Sequence, residues 1–358
     1  MKKITLLLAF FICLNISLNA QTYPKKENVI RLLTYNTHYC KGGSDPGSID
    51  DYNTRRLASV IEALDPDELD SAMSDRRRRD LLKQISEFTG LDYQHFFGGL
   101  APINGGKVGP GLLFKKDLEV VKKKIIPLAG DEARSAVRVD FEKFTFMGTH
   151  LDLNNAKRTQ SASTLVSATD YIRKPCFLAG DLNDSHRWSN GGIAFPVLAD
   201  KFSIVSDTEG NTIPGRTDNG ALIDYILFKD YKDSGIKIVE THIVRTLKVN
   251  GSVIDLGSIS DHYPVYVDIE IPGLSGIENA TRSNSIRIYP TQVQNTLNIQ
   301  SESPVRKTNI YSMTGQKQLE ANNPGTASVD ISSLSNGIYI VEIFADNGTA
   351  FKGKIIKR

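Results

Sequence analysis

The stretch that most constrains this chain is a short apolar run that ends in acidic and amide residues, from Pro175 to Asp184. It reads Pro-Cys-Phe-Leu-Ala-Gly-Asp-Leu-Asn-Asp, and its apolar part predicts a buried strand that leads into a tight turn. Asp181 and Asn183 are two residues apart, so in extended backbone both side chains point to one face. Buried polar groups cost free energy unless they are paired, and a metal ion or a phosphate would pair them. Taken alone, a plain Asp/Asn turn is the simpler interpretation.

Two other predicted strands end in polar residues in the same way. The segment Val29 to Tyr35 is followed by Asn36-Thr37-His38, and Phe144 to Gly148 is followed by Thr149-His150-Leu151-Asp152. In an open α/β sheet, sites form where the carboxyl ends of strands meet. These residues are therefore expected at the same sheet edge as Asp181.

Two further predicted strands carry polar residues near their starts instead. Asp224 lies near the start of Leu222 to Phe228, and Ser260-Asp261-His262 precedes Tyr263 to Ile269. These strands must run opposite to the others for their polar residues to reach the same edge. A single site therefore predicts mixed sheets.

The gathered side chains indicate hydrolytic chemistry with a hard cation. Carboxylates and amides without a thiolate favour Mg²⁺, or Mn²⁺. Two histidines suit proton transfer or phosphate binding near neutral pH. No Cys/His spacing typical of zinc, no P-loop and no Gly-x-Ser-x-Gly elbow is present. For each residue alone a structural role is at least as good an explanation, but the set is far more specific: Asn36, Glu68, His150, Asp181, Asn183, Asp224, Asp261 and His262.

The N-terminal segment predicts export. Lys2 and Lys3 precede the apolar run Ile4 to Ile16, and Leu18-Asn19-Ala20 precedes a cleavage point, so residues 1–20 are expected to be a signal peptide. The apolar run is short for a membrane span and no other stretch is long enough, so no transmembrane anchor is expected. The formal net charge of +2 does not by itself require nucleic acid or membrane as a partner. A secreted monomer is expected.

The two cysteines that follow the signal peptide are expected to stay unbonded, although export permits disulfides. Cys40 follows a predicted strand and Cys176 begins one. If those strands are parallel, the two sulfur atoms lie at opposite sheet edges.

Residues 273–284 are rich in Gly, Ser, Asn and Thr, which predicts a linker. Beyond them, residues 285–358 contain only short strand patterns and predict a small all-β module.

Six motifs in order carry a family resemblance: Leu-Thr-Tyr-Asn-Thr-His, Glu-Leu-Asp, Thr-His-Leu-Asp, Gly-Asp-Leu-Asn, Ile-Asp-Tyr-Ile and Ser-Asp-His. Residues 27–272 resemble the endonuclease/exonuclease/phosphatase superfamily, which has the fold of pancreatic-type DNase. The resemblance implies an α/β fold of two mixed β-sheets packed face to face with helices outside, a four-layer sandwich. It also implies divalent-metal-dependent hydrolysis of a phosphoester.

Residue by residue, the resemblance implies a metal-binding set and a pair that acts on water and phosphate. Asn36, Glu68 and Asp261 match the metal-binding positions. Asp181 and Asn183 match the pair that handles the attacking water and the phosphate.

For the remaining matched residues, the resemblance implies a place next to the substrate phosphate. His262 resembles the histidine that contacts the scissile phosphate or relays a proton, with Asp224 holding its ring. His150 resembles a second histidine on that side, and Arg134 matches a phosphate-binding arginine. The motifs leave open whether Asp181 or the His262–Asp224 pair is the general base.

The C-terminal module resembles the type A sorting domain of the type IX secretion system, which implies that machinery as a partner. The motifs are Tyr289-Pro290, Ile310 to Gln316, Leu334 to Tyr339 and Lys354 to Lys357. The implied destination is outside the cell or on its surface, with the module cleaved.

Three functions remain open from the sequence. A secreted phosphodiesterase leads, with nucleic acid as the marginally favoured substrate. The alternatives are a phosphomonoesterase or lipid-headgroup esterase, and a binding protein on a weakened catalytic scaffold.

Glu68 departs from the pattern of the family, in which an apolar strand separates the Pro-Asp turn from the metal-binding Glu. Here Pro66-Asp67 runs directly into Glu68, and a strand rises only about 3.3 Å per residue. Either Ile61 to Leu64 forms that strand or Glu68 falls short of the metal. We therefore expect a weakened metal site, with low activity or a raised Mg²⁺ requirement.

Overall fold

Several strands of this chain are apolar on both faces, which requires both faces to be covered. The segments Ile30–Tyr35 and Cys176–Asp181 are buried at every position. A sheet built from such strands is stable only between two other layers.

The computed structural model describes residues 23–42, 51–76, 79–103, 106–218, 220–249, 252–272, 286–289, 292–301, 303–312, 316–322, 328–346 and 350–358. The chain divides into two units between residues 270 and 271. The predicted signal peptide, residues 1–20, and the predicted linker, residues 273–284, lie outside the described residues.

The first unit contains short helices among many strands. The α-helices are α1 (Asp51–Leu64), α2 (Leu81–Thr89), α3 (Asn155–Ala168) and α4 (Phe195–Leu198), and 3₁₀ turns span His38–Cys40, Ser189–Gly191 and Leu256–Ser258. The strands are β1 (Ile30–Tyr35), β2 (Glu68–Arg76), β3 (Arg79–Asp80), β4 (Tyr93–Phe97), β5 (Ala101–Ile103), β6 (Gly106–Lys115), β7 (Val120–Leu128), β8 (Arg134–Phe141), β9 (Thr145–His150), β10 (Cys176–Asp181), β11 (Ser203–Ile204), β12 (Asp224–Lys229), β13 (Lys237–Ile243), β14 (Thr246–Val249), β15 (Ser252–Asp255) and β16 (Val265–Glu270).

Two large sheets form the centre of this unit. One has the order β13-β16-β1-β2-β6-β4, with β3 and β5 paired to its members, and the other has the order β11-β12-β10-β9-β8-β7. Strand β1 is parallel to β2 and antiparallel to β16. Strand β10 is likewise parallel to β9 and antiparallel to β12. Both sheets are mixed, as the sequence predicts.

Helices cover the outer face of each sheet. Leu57, Ile61 and Leu64 recur at helical spacing and are buried on α1, which contacts α2. Helix α2 begins at the Asp80 cap, whose carboxylate accepts from the Lys83 amide, and it packs on β2 and β6. Helices α3 and α4 pack together on the second sheet's side, where Leu165 and Leu198 join the core. The predicted four-layer arrangement is confirmed.

The space between the sheets is filled by an aromatic series. Successive ring contacts join Phe114, Phe141, Phe144, Phe177 and Phe228, with centroids 4.7–6.2 Å apart. Such burial is the main source of stability in a sandwich of this kind.

The two cysteines are separate, as predicted. Cys40 and Cys176 are both free and buried. Burial raises the pKa of each thiol to about 12, so neither is a reactive thiolate at neutral pH.

The second unit is a separate all-β structure with its own core, as expected for the C-terminal module. Its strands are β17 (Ile286–Tyr289), β18 (Gln292–Val293), β19 (Thr296–Ser301), β20 (Val305–Ser312), β21 (Lys317–Asn322), β22 (Ser328–Asp330), β23 (Gly337–Ala345) and β24 (Ala350–Lys357). They form two sheets with the orders β17-β19-β22 and β18-β24-β23-β20-β21. Buried residues such as Leu297, Ile310, Val341 and Ile355 form its hydrophobic cluster. Within the described part of the chain, no helix has both the length and the apolar character needed to cross a membrane.

Candidate functional site

Three neighbouring strands bring predicted site residues to one level of the second sheet. In the strand register, Asp181 on β10 lies opposite His150 on β9 and opposite Asp224 on β12. Strand β12 runs against the other two, so the start of β12 meets the ends of β9 and β10. The sequence-based expectation that these three residues share an edge agrees with this register.

Asp181 is the centre of the cluster. Its Oδ2 accepts a hydrogen bond from the Asn36 amide at 3.0 Å, and it lies 3.4 Å from His150 Nε2 and 3.7 Å from His262 Nε2. The carboxylate is 4% exposed. Burial raises its pKa, but the combined effect of His150, His262 and hydrogen bonds lowers the pKa by more. The net pKa is therefore below the ordinary value. Asp181 is therefore ionised across the neutral range.

His262 and Asp224 form a buried pair. His262 Nδ1 lies 2.8 Å from Asp224 Oδ2, and the Asp224 side chain is fully buried. Thr212 braces this strand start, because its hydroxyl accepts from the backbone amides of Ile223 and Asp224. Burial lowers the pKa of His262, but Asp224 and then Asp181 raise it more, so the net pKa is raised. The ring is thus held as an imidazolium with Nε2 facing Asp181.

The pKa of His150 is shifted in the opposite direction to that of His262. Burial is the largest influence and lowers its pKa, while Asp181 acts in the other direction and Arg134 adds to the lowering. The pKa values of the two imidazoles beside Asp181 are therefore shifted in opposite directions.

Asn183 supports this geometry through its backbone and its amide. Its N–H donates to Asp181 Oδ1 at 2.9 Å, and its Nδ2 donates to the Leu151 carbonyl at 2.9 Å. Strand β10 requires glycine at position 180, where φ is +147° and an added Cβ would lie 1.9 Å from the Thr149 oxygen. Asn183 thus ties the ends of two strands together beside Asp181.

The ends of the first sheet supply a second group of side chains. Ser260 Oγ donates to the Asn36 carbonyl at 2.6 Å, which joins the end of β1 to the turn before β16. His38 donates its backbone N–H to Asn36 Oδ1 at 3.2 Å, and its Nδ1 lies 3.6 Å from Asp261 Oδ2. The Asp261 side chain is 46% exposed. Asn36 and Asp261 are thus brought together, with His38 between them as a residue that the sequence did not single out.

The backbone around His38 is strained. His38, Tyr39 and Cys40 have φ values of 45°, 55° and 59°, a left-handed region that non-glycine residues rarely adopt. Strain of this kind persists where surrounding structure enforces it, and such residues cluster at functional sites.

Arg134 lies beside His150 at the start of β8. Its Nε donates to Asp152 Oδ2 at 3.2 Å, and Asp152 also accepts from the backbone amides of Asp131 and Asn154. A pocket next to the cluster is lined by Tyr39, Arg134 and His150, among others. Asp152 was visible in the sequence as the last residue of Thr-His-Leu-Asp, but nothing there assigned it a role.

Glu68 is the one predicted site residue that lies elsewhere. It begins β2 and pairs with Leu32, four positions before Asn36, a separation of about 13 Å along the strand. Helix α1 keeps its form through Leu64, so Ile61 to Leu64 does not form the strand that the first alternative requires. No strand separates Pro66-Asp67 from Glu68, as the sequence indicates, and β2 instead begins at Glu68. Both strand neighbours, β1 and β6, hold this polar segment in the sheet.

The donor set near the edge fits a divalent cation. Asn36 and Asp261 offer an amide and a carboxylate oxygen, the ligand types preferred by hard cations. Among the described residues, Asp181, Asp224 and His262 also place one potential ligand atom each within 4.8 Å of one another. Because His262 Nδ1 is already bonded to Asp224, that trio is better explained as an ion-pair network. Glu68 is not part of either group.

Comparisons with known proteins identify the families of both parts of the chain. The Endonuclease/Exonuclease/phosphatase family model matches residues 33–262, and the model of the Secretion system C-terminal sorting domain matches residues 287–358. No curated protein gives a significant sequence match.

Solved structures show the same fold at low identity. An endonuclease/exonuclease/phosphatase from Beutenbergia cavernae DSM 12333 has a TM-score of 0.56 at 16% identity and covers 92% of this chain and 100% of its own. The mannosyl-6-phosphatase Bt3783 of Bacteroides thetaiotaomicron VPI-5482 has a TM-score of 0.50 at 16% identity over 67% of this chain and 99% of its own. TDP2 of D. rerio, complexed with a single-strand DNA product, has a TM-score of 0.50 at 15% identity over 68% and 99%. Because the family model spans more than half of the sequence, this chain belongs to the endonuclease/exonuclease/phosphatase family, with a secretion system sorting domain at its C-terminal end.

Proposed function

We propose that the first unit is a divalent-metal-dependent phosphodiesterase that uses in-line attack of water. The observation that carries the proposal is the contact of Asp181 with two histidines of opposite protonation preference. The family is named for nucleases and phosphatases, which hydrolyse phosphate esters. A pre-organised set of charged groups of this kind suits stabilisation of a pentavalent transition state.

The directions of the pKa shifts support an assignment of acid and base roles. Because the pKa of His262 is raised and that of Asp181 is lowered, we assign Asp181, of the two candidate bases, to orient the attacking water and accept its proton. The water oxygen forms its bond to phosphorus while the bond to the ester oxygen breaks. His262 is placed to give its proton to the departing oxygen, and Asp224 stabilises the imidazolium until then.

Substrate positioning is assigned to the groups around this core. Arg134 and neutral His150 would donate hydrogen bonds to the phosphate, and Asn183 would hold Asp181 in place. Asn36 and Asp261 would hold the divalent cation, Mg²⁺ or Mn²⁺, which when bound supplies positive charge for the phosphate oxygens.

Nucleic acid is the marginally favoured substrate. Tyr39 lines the pocket beside His150, and Lys41 lies 5.7 Å above its ring. A ring with a cation next to a phosphate site is typical of base stacking in nucleic-acid-binding proteins. A sugar phosphate, a lipid headgroup or binding without catalysis remain the alternatives to be tested.

The test is hydrolysis by the purified protein of DNA, RNA, sphingomyelin and sugar phosphates, each with Mg²⁺, Mn²⁺ or chelator. We expect cleavage of DNA or RNA that stops with chelator and is lost in Asp181→Asn. The matched control is His242→Ala. His242 Nε2 lies 2.6 Å from Glu240 Oε1, and this pair is not part of the cluster. Cleavage that survives chelation would refute the metal dependence, and cleavage of sugar phosphate alone would replace the diesterase with a monoesterase.

We further propose that residues 1–20 direct export and that the sorting domain hands the protein to the type IX secretion machinery. The match at residues 287–358 supports this route.

A further inference from the structure

We propose that His38 is a ligand of the divalent cation, acting through Nδ1 together with Asn36 and Asp261. The inference rests on the proposed function for the location of the cation, but its test does not require catalysis. It assigns a nitrogen ligand to a site for which the sequence predicts only oxygen ligands.

The first argument is position. His38 Nδ1 is buried and has no hydrogen-bond partner among the described residues, yet it lies 3.6 Å from Asp261 Oδ2. Two ligands that each lie about 2.1 Å from one ion are separated by about 3–4 Å, depending on the angle between them. The same residue donates its backbone N–H to Asn36 Oδ1, which places all three residues around one point.

The second argument is the backbone. The left-handed conformations of His38, Tyr39 and Cys40 cost free energy that an ordinary loop would avoid. This turn directs the imidazole back toward Asp261, where an unpaired buried nitrogen adds a further cost. A bound cation would offset both costs by giving the nitrogen a partner.

The third argument is the missing carboxylate. Glu68 lies about 13 Å along the sheet from Asn36, so it cannot complete the ligand set. Asp261 remains as a predicted carboxylate ligand, and its Oδ2 lies 3.6 Å from His38 Nδ1. Imidazole favours transition metals over Mg²⁺, which binds oxygen ligands almost exclusively. We therefore expect selectivity for Mn²⁺ over Mg²⁺.

The experiment measures metal binding without substrate. The chelator-treated full-length chain is titrated with Mn²⁺ and the free ion is followed by electron paramagnetic resonance. Pulsed measurements on the bound ion then detect coupling to ¹⁴N. Wild-type protein should bind Mn²⁺ with a ¹⁴N coupling. His38→Ala should lose that coupling and weaken Mn²⁺ binding by about tenfold or more, since even neighbours of metal ligands often contribute that much.

The controls separate this role from others. His150→Ala removes a nearby imidazole and should keep the coupling, as should His242→Ala. His38→Gln restores a polar side chain and should not restore the ¹⁴N coupling. Fluorescence of Trp188, the single tryptophan, verifies folding of each variant.

Coupling that persists in His38→Ala, or no Mn²⁺ binding by the wild type, would overturn the proposal. Loss of coupling in a protein that hydrolyses no phosphoester would support the ligand and refute the catalytic proposal.

Discussion

The carboxylate of Asp181 contacts two imidazoles that differ in protonation, and the difference has a measurable consequence at the scale of single residues. Asn at position 262 would keep the capacity to donate a hydrogen bond but would remove the cation held by Asp224. His262→Asn is expected to lower kcat by about 10²-fold or more, the usual contribution of a general acid. Steady-state kinetics on the best substrate would measure this.

The pair should also behave as one unit. Asp224→Asn is expected to lower kcat for the same reason, and the double variant should be little worse than the more damaging single variant. Additive losses would mean that the two residues act independently.

Arg134 and Asp152 lead to a second residue-scale prediction. The 3.2 Å bond from Arg134 Nε to Asp152 fixes the guanidinium beside His150. Asp152→Asn removes the charge that holds it, so KM should rise more than kcat falls, as in Arg134→Ala. The matched control is Asp140→Asn, which breaks the Arg138–Asp140 pair on the same strand at 2.7 Å.

Kinetics of the double variant decide whether Asp152 acts through Arg134. In the Arg134→Ala background, Asp152→Asn should add little. A large further loss of kcat/KM would show that Asp152 has a separate role.

Sequence reasoning at this scale worked where a motif joined a strand end to a polar residue. Asp181, His150 and Asp224 can be gathered because apolar runs and turn signals locate two strand ends and one strand start. His38 was missed because nothing in Asn-Thr-His announces a left-handed turn, and Asp152 because its partner depends on a loop between other strands.

At the scale of elements, β2 shows the limit of periodicity. Its sequence, Glu-Leu-Asp-Ser-Ala-Met-Ser-Asp-Arg, lacks the apolar run that predicts a buried strand. Pairing with β1 and β6 on both sides nonetheless holds it in the sheet, so tertiary context overrides local preference. This is why the position of Glu68 could be questioned but not solved from the sequence.

The same strand leads to a stability prediction. Glu68 is fully buried, and neither carboxyl oxygen has a hydrogen-bond partner among the described residues. Burial raises its pKa well above the ordinary value, with Asp67 adding to the effect. Glu68→Met replaces it with an apolar side chain of similar size, and should raise the free energy of unfolding at neutral pH by about 1–3 kcal/mol.

The pH dependence follows from the direction of the shift. The folded state holds the proton more tightly than the unfolded state, whose pKa is about 4.3. The contribution of protonated Glu68 is therefore complete below that value and is lost as pH rises through the raised folded pKa. Glu68→Met should reduce this decline.

Urea unfolding followed by Trp188 fluorescence at several pH values provides the measurement. Glu87→Met, an exposed glutamate on α2, is the control and should leave the profile unchanged. Equal free energies of unfolding for wild type and Glu68→Met at all pH values would mean that other interactions offset the cost of burying the Glu68 carboxyl.

At the scale of the whole molecule, the two units have separate hydrophobic clusters. Removal of residues 285–358 should leave kcat/KM unchanged, because the proposed catalytic groups all lie before residue 271. Release from the producing cell should be abolished. Activity assays and fractionation of culture medium and cells would measure both effects.

Each half of this prediction can fail separately. Loss of activity on truncation would show that the first unit depends on the second. Normal release of the truncated protein would refute the sorting role. The β-rich character of residues 285–358 was readable from the sequence because short strand patterns follow one another there without helices.

The shared register of His150, Asp181 and Asp224 also limits how this protein can evolve or be engineered. Insertion of one residue in β9, β10 or β12 would turn every later side chain of that strand to the opposite face. The pocket beside His150 is lined partly by residues outside these three strands, such as Glu132 and Ala133 in the loop between β7 and β8. Libraries that seek new substrates should therefore vary the side chains of that loop and leave strand lengths fixed.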